Sequence, residues 1–138
     1  MSKKPVIKVS DVMKQSYASI DGLATISEAL AVMVKERTAV LIVNPRHEHD
    51  EWGMVLASDI ARQVLALDRA PERVNVYEIM EKPLVTVSPH MDIRYCARLF
   101  TRYDLMRAIV VEDGQLKGIV SPVNLVLDRF AQQVLPPS

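Results

Sequence analysis

The chain has little of what usually announces a site or an address. It holds one cysteine, Cys96, so it closes no internal disulfide, and a lone thiol fits a reducing compartment. It has no net charge, with 17 Lys and Arg against 17 Asp and Glu, so no global field draws nucleic acid or an anionic membrane. Its longest apolar runs, such as Ala39 to Val43, are far too short to span a bilayer. No apolar signal core follows Met1-Ser2-Lys3-Lys4. These absences predict a soluble, cytoplasmic protein with no membrane partner. A chain of this length buries about two-thirds of its unfolded surface as one compact domain.

Glycine is scarce too, at four residues, yet two of the four open nearly the same phrase. One phrase is Gly53-Met54-Val55-Leu56-Ala57-Ser58-Asp59-Ile60; the other is Gly118-Ile119-Val120-Ser121-Pro122-Val123-Asn124-Leu125. Each passes from an apolar strand pattern through a hydroxyl residue to Asp or Asn, then into a helical pattern. A strand-to-helix junction written twice predicts one unit folded twice, with its chemistry where the copies face each other.

The rest of the chain repeats as well. Val12 to Ile20 aligns without a gap on Ile79 to Val87, at an offset of 79 − 12 = 67 residues. Both pieces read as a short helical turn, a polar break and an alternating strand. Ile26, Ala29, Leu30 and Met33 then recur at helical steps, as do Ile93, Cys96, Ala97 and Phe100. Ala39 to Val43 and Ala108 to Val111 lack polar alternation and read as strands covered on both faces. Asp113-Gly114 marks a tight hairpin; the matching turn, Asn44 to Glu51, is longer. Final helices are expected over 60–67 and 125–134, the second started by the Ser121-Pro122 cap. Asp68 to Asn75 reads as a polar connector and Pro136-Pro137-Ser138 as a loose tail. The expected class is α/β (α+β), with β-α-β-β-α repeats over 10–70 and 75–134. A copy of some 60 residues is marginal alone, so the two are expected to share a core as one module.

The order of these elements resembles a tandem pair of cystathionine β-synthase (CBS) domains, from about Ser10 to Phe130. Gly118 to Asn124 is similar to that family's Gly-apolar-apolar-Ser/Thr-x-x-Asp/Asn, and Arg107 to Val111 to its Arg-x-apolar-Val-Val strand. The resemblance implies a pseudo-twofold pair with two clefts that hold adenosine nucleotides, often dimerised, and used for sensing rather than catalysis. It also implies the site residues. The main cleft takes Met54, Leu56 and Asp59 from the first copy, with Lys82, Pro83, Leu84, Val85, Leu105, Met106 and Arg107 from the second. The second cleft takes Ile119, Ser121, Val123 and Asn124 with Tyr17, Ala18, Arg37, Thr38 and Ala39. The implied ligand is AMP or a related nucleotide; no separate cofactor or metal is called for. A homodimer and a regulated partner protein are expected.

The chemistry suits those residues unequally. A carboxylate at Asp59 can accept hydrogen bonds from both hydroxyls of a ribose, and Arg107 can meet a phosphate. Leu56 departs from the family's Ser or Thr. In the second set Asn124 replaces the acid, and Ala39 aligns with Arg107, so the phosphate cation is absent unless Arg37 reaches in. The main cleft is therefore the better site. The same residues have plainer uses: tight strand exits at the glycines, helix capping at Ser121, dipole complementation at Asp59, and a surface ion pair for Arg107. A structural adaptor with ligand-free clefts is the alternative.

Other features read as surface or core. His47, Glu48, His49, Asp50 and Glu51 form a solvated loop rather than a preorganised metal site. His90 is a loop residue beside Pro89. Arg94, Arg98 and Arg102 lie on one helical stripe, a solvated face or a docking stripe, without the aromatic interleaving that RNA reading uses. Cys96 is a small buried apolar residue. No nucleophile, base and orienter come together, so no enzyme is expected.

Overall fold

The computed structural model describes residues 5–137; the Met1-Ser2-Lys3-Lys4 segment and Ser138 of the tail lie outside them. The helical periodicity is realised where the sequence places it. Ile26, Ala29 and Met33 are buried along α2, Ile26–Glu36. Thr25 starts this helix: its Oγ1 accepts from the Glu28 N–H at 3.1 Å, and the Glu28 carboxylate accepts from the Thr25 N–H at 3.4 Å. Ile93, Cys96 and Phe100 repeat the stripe in α4, Ile93–Tyr103, where the Asp92 carboxylate accepts from the Arg94 N–H at 2.8 Å. Both helices stop on a left-handed residue at equivalent positions, Arg37 at φ 54° and Asp104 at φ 52°.

Each helix crosses between two parallel strands of a small sheet. β1 (Ala18–Ile20), β2 (Val40–Val43) and β3 (Gly53–Leu56) form one three-stranded sheet in that order. β4 (Thr86–Val87), β5 (Ala108–Glu112) and β6 (Gln115–Val120) form the other. In both, the first pair is parallel and the second antiparallel. β2 is buried on both faces, with Leu41, Ile42 and Val43 all inaccessible or nearly so, as its unbroken apolar run requires. Asp113 and Gly114 both adopt positive φ, 53° and 75°, the conformation a two-residue hairpin needs. The closing helices begin earlier than periodicity marks, directly behind their capping residues. α3 (Ala57–Ile60) runs on through a π-helical turn, Ala61–Leu65. α5 (Pro122–Leu125) continues through Val126–Phe130 into α6 (Ala131–Val134). The class is mixed α/β, as expected.

The compact units and the sequence copies divide the chain differently. A mid-chain unit comprises Tyr17–Leu84; a two-end unit joins the described residues up to Ser16 to those from Val85 onward. The short α1 (Val9–Val12), which leads the first sequence copy, therefore packs with the second copy's elements. Ile7, Val9 and Val12 join Val87, Phe100, Val110 and Leu125 in one core. Reciprocally, Val74, Val76 and Ile79, which lead the second copy, join Ile20, Met33, Val43 and Val64 in the other. Burying each of these Val or Ile side chains contributes about 1.5–3 kcal/mol, enough to fix where each leader lies. The connector is consequently less polar in role than in composition: after a 3-10 turn at Pro71–Arg73, Val74 is core.

Candidate functional site

The two junction glycines are explained by these leaders. Glu81 bridges antiparallel to Met54, with reciprocal backbone hydrogen bonds of 3.0 and 2.8 Å. Lys14 bridges Ile119 in the same way, at 2.8 and 2.9 Å. A Cβ on Gly53 would meet the Met80 sulfur at 3.0 Å and the Glu81 carbonyl oxygen at 3.2 Å. On Gly118 it would meet the Lys14 carbonyl oxygen at 2.6 Å, closer than a Cβ atom approaches any such neighbour. Both glycines are thus places of close backbone crossing.

Behind each glycine the chain turns into a helix through a different cap. In the two-end unit Ser121 supplies a full reciprocal box: its Oγ donates to Asn124 Oδ1 at 3.0 Å and accepts from the Asn124 N–H at 3.4 Å. The Ser121 N–H also donates to that amide oxygen, at 3.1 Å. In the mid-chain unit Leu56 has no hydroxyl, so only half of the box exists. Asp59 Oδ2 accepts from the Leu56 N–H at 3.0 Å. Its Oδ1 accepts from Arg62 Nη2 at 2.9 Å. The Asp59 side chain is 3% exposed and that of Arg62 66%. A buried carboxylate is thereby fixed and charge-compensated, with its partner at the surface.

The main set of site residues divides between the units. Met54, Leu56, Asp59, Lys82, Pro83 and Leu84 belong to the mid-chain unit, and Val85, Leu105, Met106 and Arg107 to the two-end unit. Met54 is buried and Leu56 half-buried beside Asp59, while Lys82 donates to Asp50 instead of standing free. Leu105 and Arg107 are half-buried and Met106 exposed, on the turn that enters β5. Among the described residues of its own unit the Arg107 guanidinium makes no hydrogen bond or ion pair.

The second set also divides. Ile119, Ser121, Val123 and Asn124 lie in the two-end unit; Tyr17, Ala18, Arg37, Thr38 and Ala39 lie in the mid-chain unit. Thr38 Oγ1 is spent on Val40, bonding its carbonyl at 3.1 Å and its N–H at 3.2 Å. One alignment needs correction. Val43 faces Gly53 across its hairpin as Val110 faces Gly118, so Val40, not Ala39, stands where Arg107 does. The apolar runs alone allow a slip of one residue, and such a slip exchanges the faces of a strand. The conclusion that this position lacks a cation stands with Val40 in it.

The model of the CBS domain family matches residues 9–66 and 76–127. This chain belongs to the CBS domain family. Among curated relatives it is 26% identical to the CBS domain-containing protein YhcV of Bacillus subtilis, over 91% of this chain and 87% of that one. It is 25% identical to an uncharacterised protein of Methanocaldococcus jannaschii, covering 96% of this chain but only 64% of that relative's length. A hexameric CBS-CP12 protein from bloom-forming cyanobacteria superposes with TM-score 0.84 at 36% identity, covering 95% of this chain and 76% of that one. A CBS domain protein of Pyrobaculum aerophilum, solved in complex with AMP, superposes with TM-score 0.76 at 22% identity, covering 92% and 96%.

Elsewhere on this CBS pair, the histidine-bearing loop is organised by an acid. Asp50 accepts from the N–H groups of Arg46 and Glu51, both at 2.9 Å, and from Lys82. The Lys82 ammonium, then the Arg46 N–H, hold the Asp50 carboxyl well below the usual carboxylate range. Among the described residues no group of three or more His, Cys, Asp or Glu side chains could hold a metal ion. His90 pairs with Glu112 across the sheet edge. Burial pushes the Cys96 thiol up to about 11. No helix among the described residues is long and apolar enough to cross a membrane. The arginine stripe does carry aromatics: Arg98 lies 5.2 Å over the exposed Tyr95 ring and Arg102 6.0 Å over Tyr103. Arg62 is the residue that sequence reasoning missed; its place one turn after Asp59 was the available signal.

Proposed function

We propose that this CBS pair binds an adenosine nucleotide, AMP first among candidates, and conveys its level to another protein. The observation that carries the reading is the contrast at one duplicated position: a buried, fixed carboxylate at Asp59 and a neutral amide at Asn124. A carboxylate accepts two hydroxyl hydrogen bonds with full charge, each worth about 1.5–3 kcal/mol. An amide has one acceptor oxygen, and that of Asn124 already takes two donors. Asp59 holds the ribose, and Arg107, without a partner in its own unit, takes the phosphate. In this reading Met54, Leu56, Pro83, Leu84, Val85, Leu105 and Met106 supply apolar contact to the base, and Lys82 assists at the phosphate. Tyr17, Ala18, Arg37, Thr38, Ala39, Ile119, Ser121, Val123 and Asn124 form the weaker second site. The AMP complex of the Pyrobaculum relative supports the ligand class.

The reading assigns the chain regulation and no catalysis. It includes self-association through helical faces that keep Leu65 78% and Leu127 63% exposed. Calorimetric titration with AMP, ADP, ATP and S-adenosylmethionine tests it. A micromolar constant, about 8 kcal/mol, is expected for AMP, with Asp59→Ala strongly weakened. Leu56, Val40 and Asn124 favour the second reading, a structural adaptor. Dimeric protein giving no heat at millimolar nucleotide, with Asp59→Ala indistinguishable from wild type, establishes that second reading instead.

A further inference from the structure

Arg62 lies in neither set of site residues, yet it covers the group on which the nucleotide reading depends. Asp59 has two carboxylate oxygens, each with two acceptor positions. The inner one, Oδ2, is held by the Leu56 N–H at 3.0 Å, and this bond belongs to the helix cap. The outer one, Oδ1, is held at 2.9 Å by the guanidinium of Arg62, a side chain 66% exposed.

The second copy serves as an internal control. Gly53 and Gly118 align, so Asn124 stands for Asp59 and Leu127 for Arg62. The acid and the base are replaced together. A neutral amide needs no counter-ion, and Leu127 supplies none; a buried carboxylate left alone is costly, and Arg62 compensates it. The cation is therefore matched to the charge of its neighbour.

The geometry points to Arg62 as an internal competitor for the ligand, an inference that rests on the nucleotide reading above. Its guanidinium neutralises Asp59 while the ribose site is empty and holds the outer oxygen Oδ1, so the ribose hydroxyls compete with it there when they bind. The exchange breaks one ion pair and leaves the guanidinium hydrated at the surface. Affinity is lowered by the strength of that pair, and the carboxylate keeps hydrogen-bond donors in either state.

The sign of the effect separates this role from simple electrostatics. Removing a cation near an anionic nucleotide ordinarily weakens binding. Here Arg62→Ala and Arg62→Gln are expected to bind AMP about fivefold more tightly than wild type, the scale of one partly exposed ion pair. The gain should disappear with 2′,3′-dideoxyadenosine monophosphate, which has no diol to compete, and shrink as KCl screens the pair. The experiment is calorimetric titration of wild type and both variants with the two nucleotides, each protein checked as folded by its thermal transition. If Arg62→Ala fails to fold, Arg62→Gln, which keeps a donor without the charge, decides the question. AMP heat in wild type with no gain, or a loss, in the folded variants overturns this inference alone. An equal gain with the dideoxy nucleotide overturns it as well. No AMP heat from any of the proteins overturns the nucleotide reading and this inference together.

Discussion

At the Gly118 junction an added methyl group would lie 2.6 Å from the Lys14 carbonyl oxygen, backbone against side chain with no room to give. At the Gly53 junction the nearest atom is the Met80 sulfur at 3.0 Å, the end of a flexible side chain. The same contrast runs through the rest of the two copies. The second has the hydroxyl cap at Ser121, the neutral Asn124 and a two-residue hairpin. The first has an apolar cap residue, the buried Asp59 with Arg62, and a longer loop fastened by Asp50. One backbone plan has been completed locally in one copy, and left with a compensated charge in the other. A repeated fold therefore does not imply a repeated site.

That comparison can be broken most forcefully at the glycines. Gly118→Ala is expected to destabilise by about 2–3 kcal/mol and lower the melting temperature by about 10 °C. Gly53→Ala should cost about 1 kcal/mol, because Met80 can move aside and the Glu81 carbonyl oxygen, at 3.2 Å, need give only slightly. Equal losses in the two melting curves would remove the asymmetry of the crossings.

Asp59→Ala tests the site next. It should weaken AMP by at least about 100-fold, because both charge-assisted hydrogen bonds to the ribose are lost, whereas Asn124→Ala should change it by less than about threefold. Arg107→Ala follows, at about tenfold for AMP and no change for adenosine, which lacks the phosphate. A competition assay with both ligands reads the difference directly.

The smallest effect concerns acid. The Asp50 carboxyl titrates below its unfolded value, so its bond to Lys82 adds stability that is full above the ordinary carboxylate range and is lost as pH falls from there to the depressed folded value. Asp50→Asn should therefore lower the melting temperature slightly near pH 7, where the bond contributes, and change little in strong acid, so that the acid limb of melting temperature against pH flattens. An unchanged acid limb would show that the loop fastening contributes nothing to stability.

Much of this arrangement was legible in the residues. Ile26, Ala29 and Met33, and their counterparts in α4, declare helices by spacing alone. Asp113-Gly114 declares its hairpin because few residue pairs tolerate positive φ twice, and the doubled junction declares the duplication. What stayed hidden depends on contacts between distant parts of the chain. Nothing near Val12 says that it packs with Leu125, or that Lys14 crosses Gly118, so each leader was grouped with the copy it precedes. Val74 sits among charged residues and reads as connector until its burial is seen. Val40 and Ala39 are interchangeable in an apolar run; only pairing across the hairpin sets the register. Arg62 stayed unremarked because its partner's burial is a tertiary fact.

The division of labour between Asp59 and Asn124 is tested most directly by the stoichiometry of AMP binding in wild type and in Asp59→Asn, the substitution that gives the first copy the residue of the second. The account predicts one strong site per chain, lost in that variant and retained in Asn124→Ala. Two equivalent sites, or a single site that survives Asp59→Asn unchanged, would contradict it.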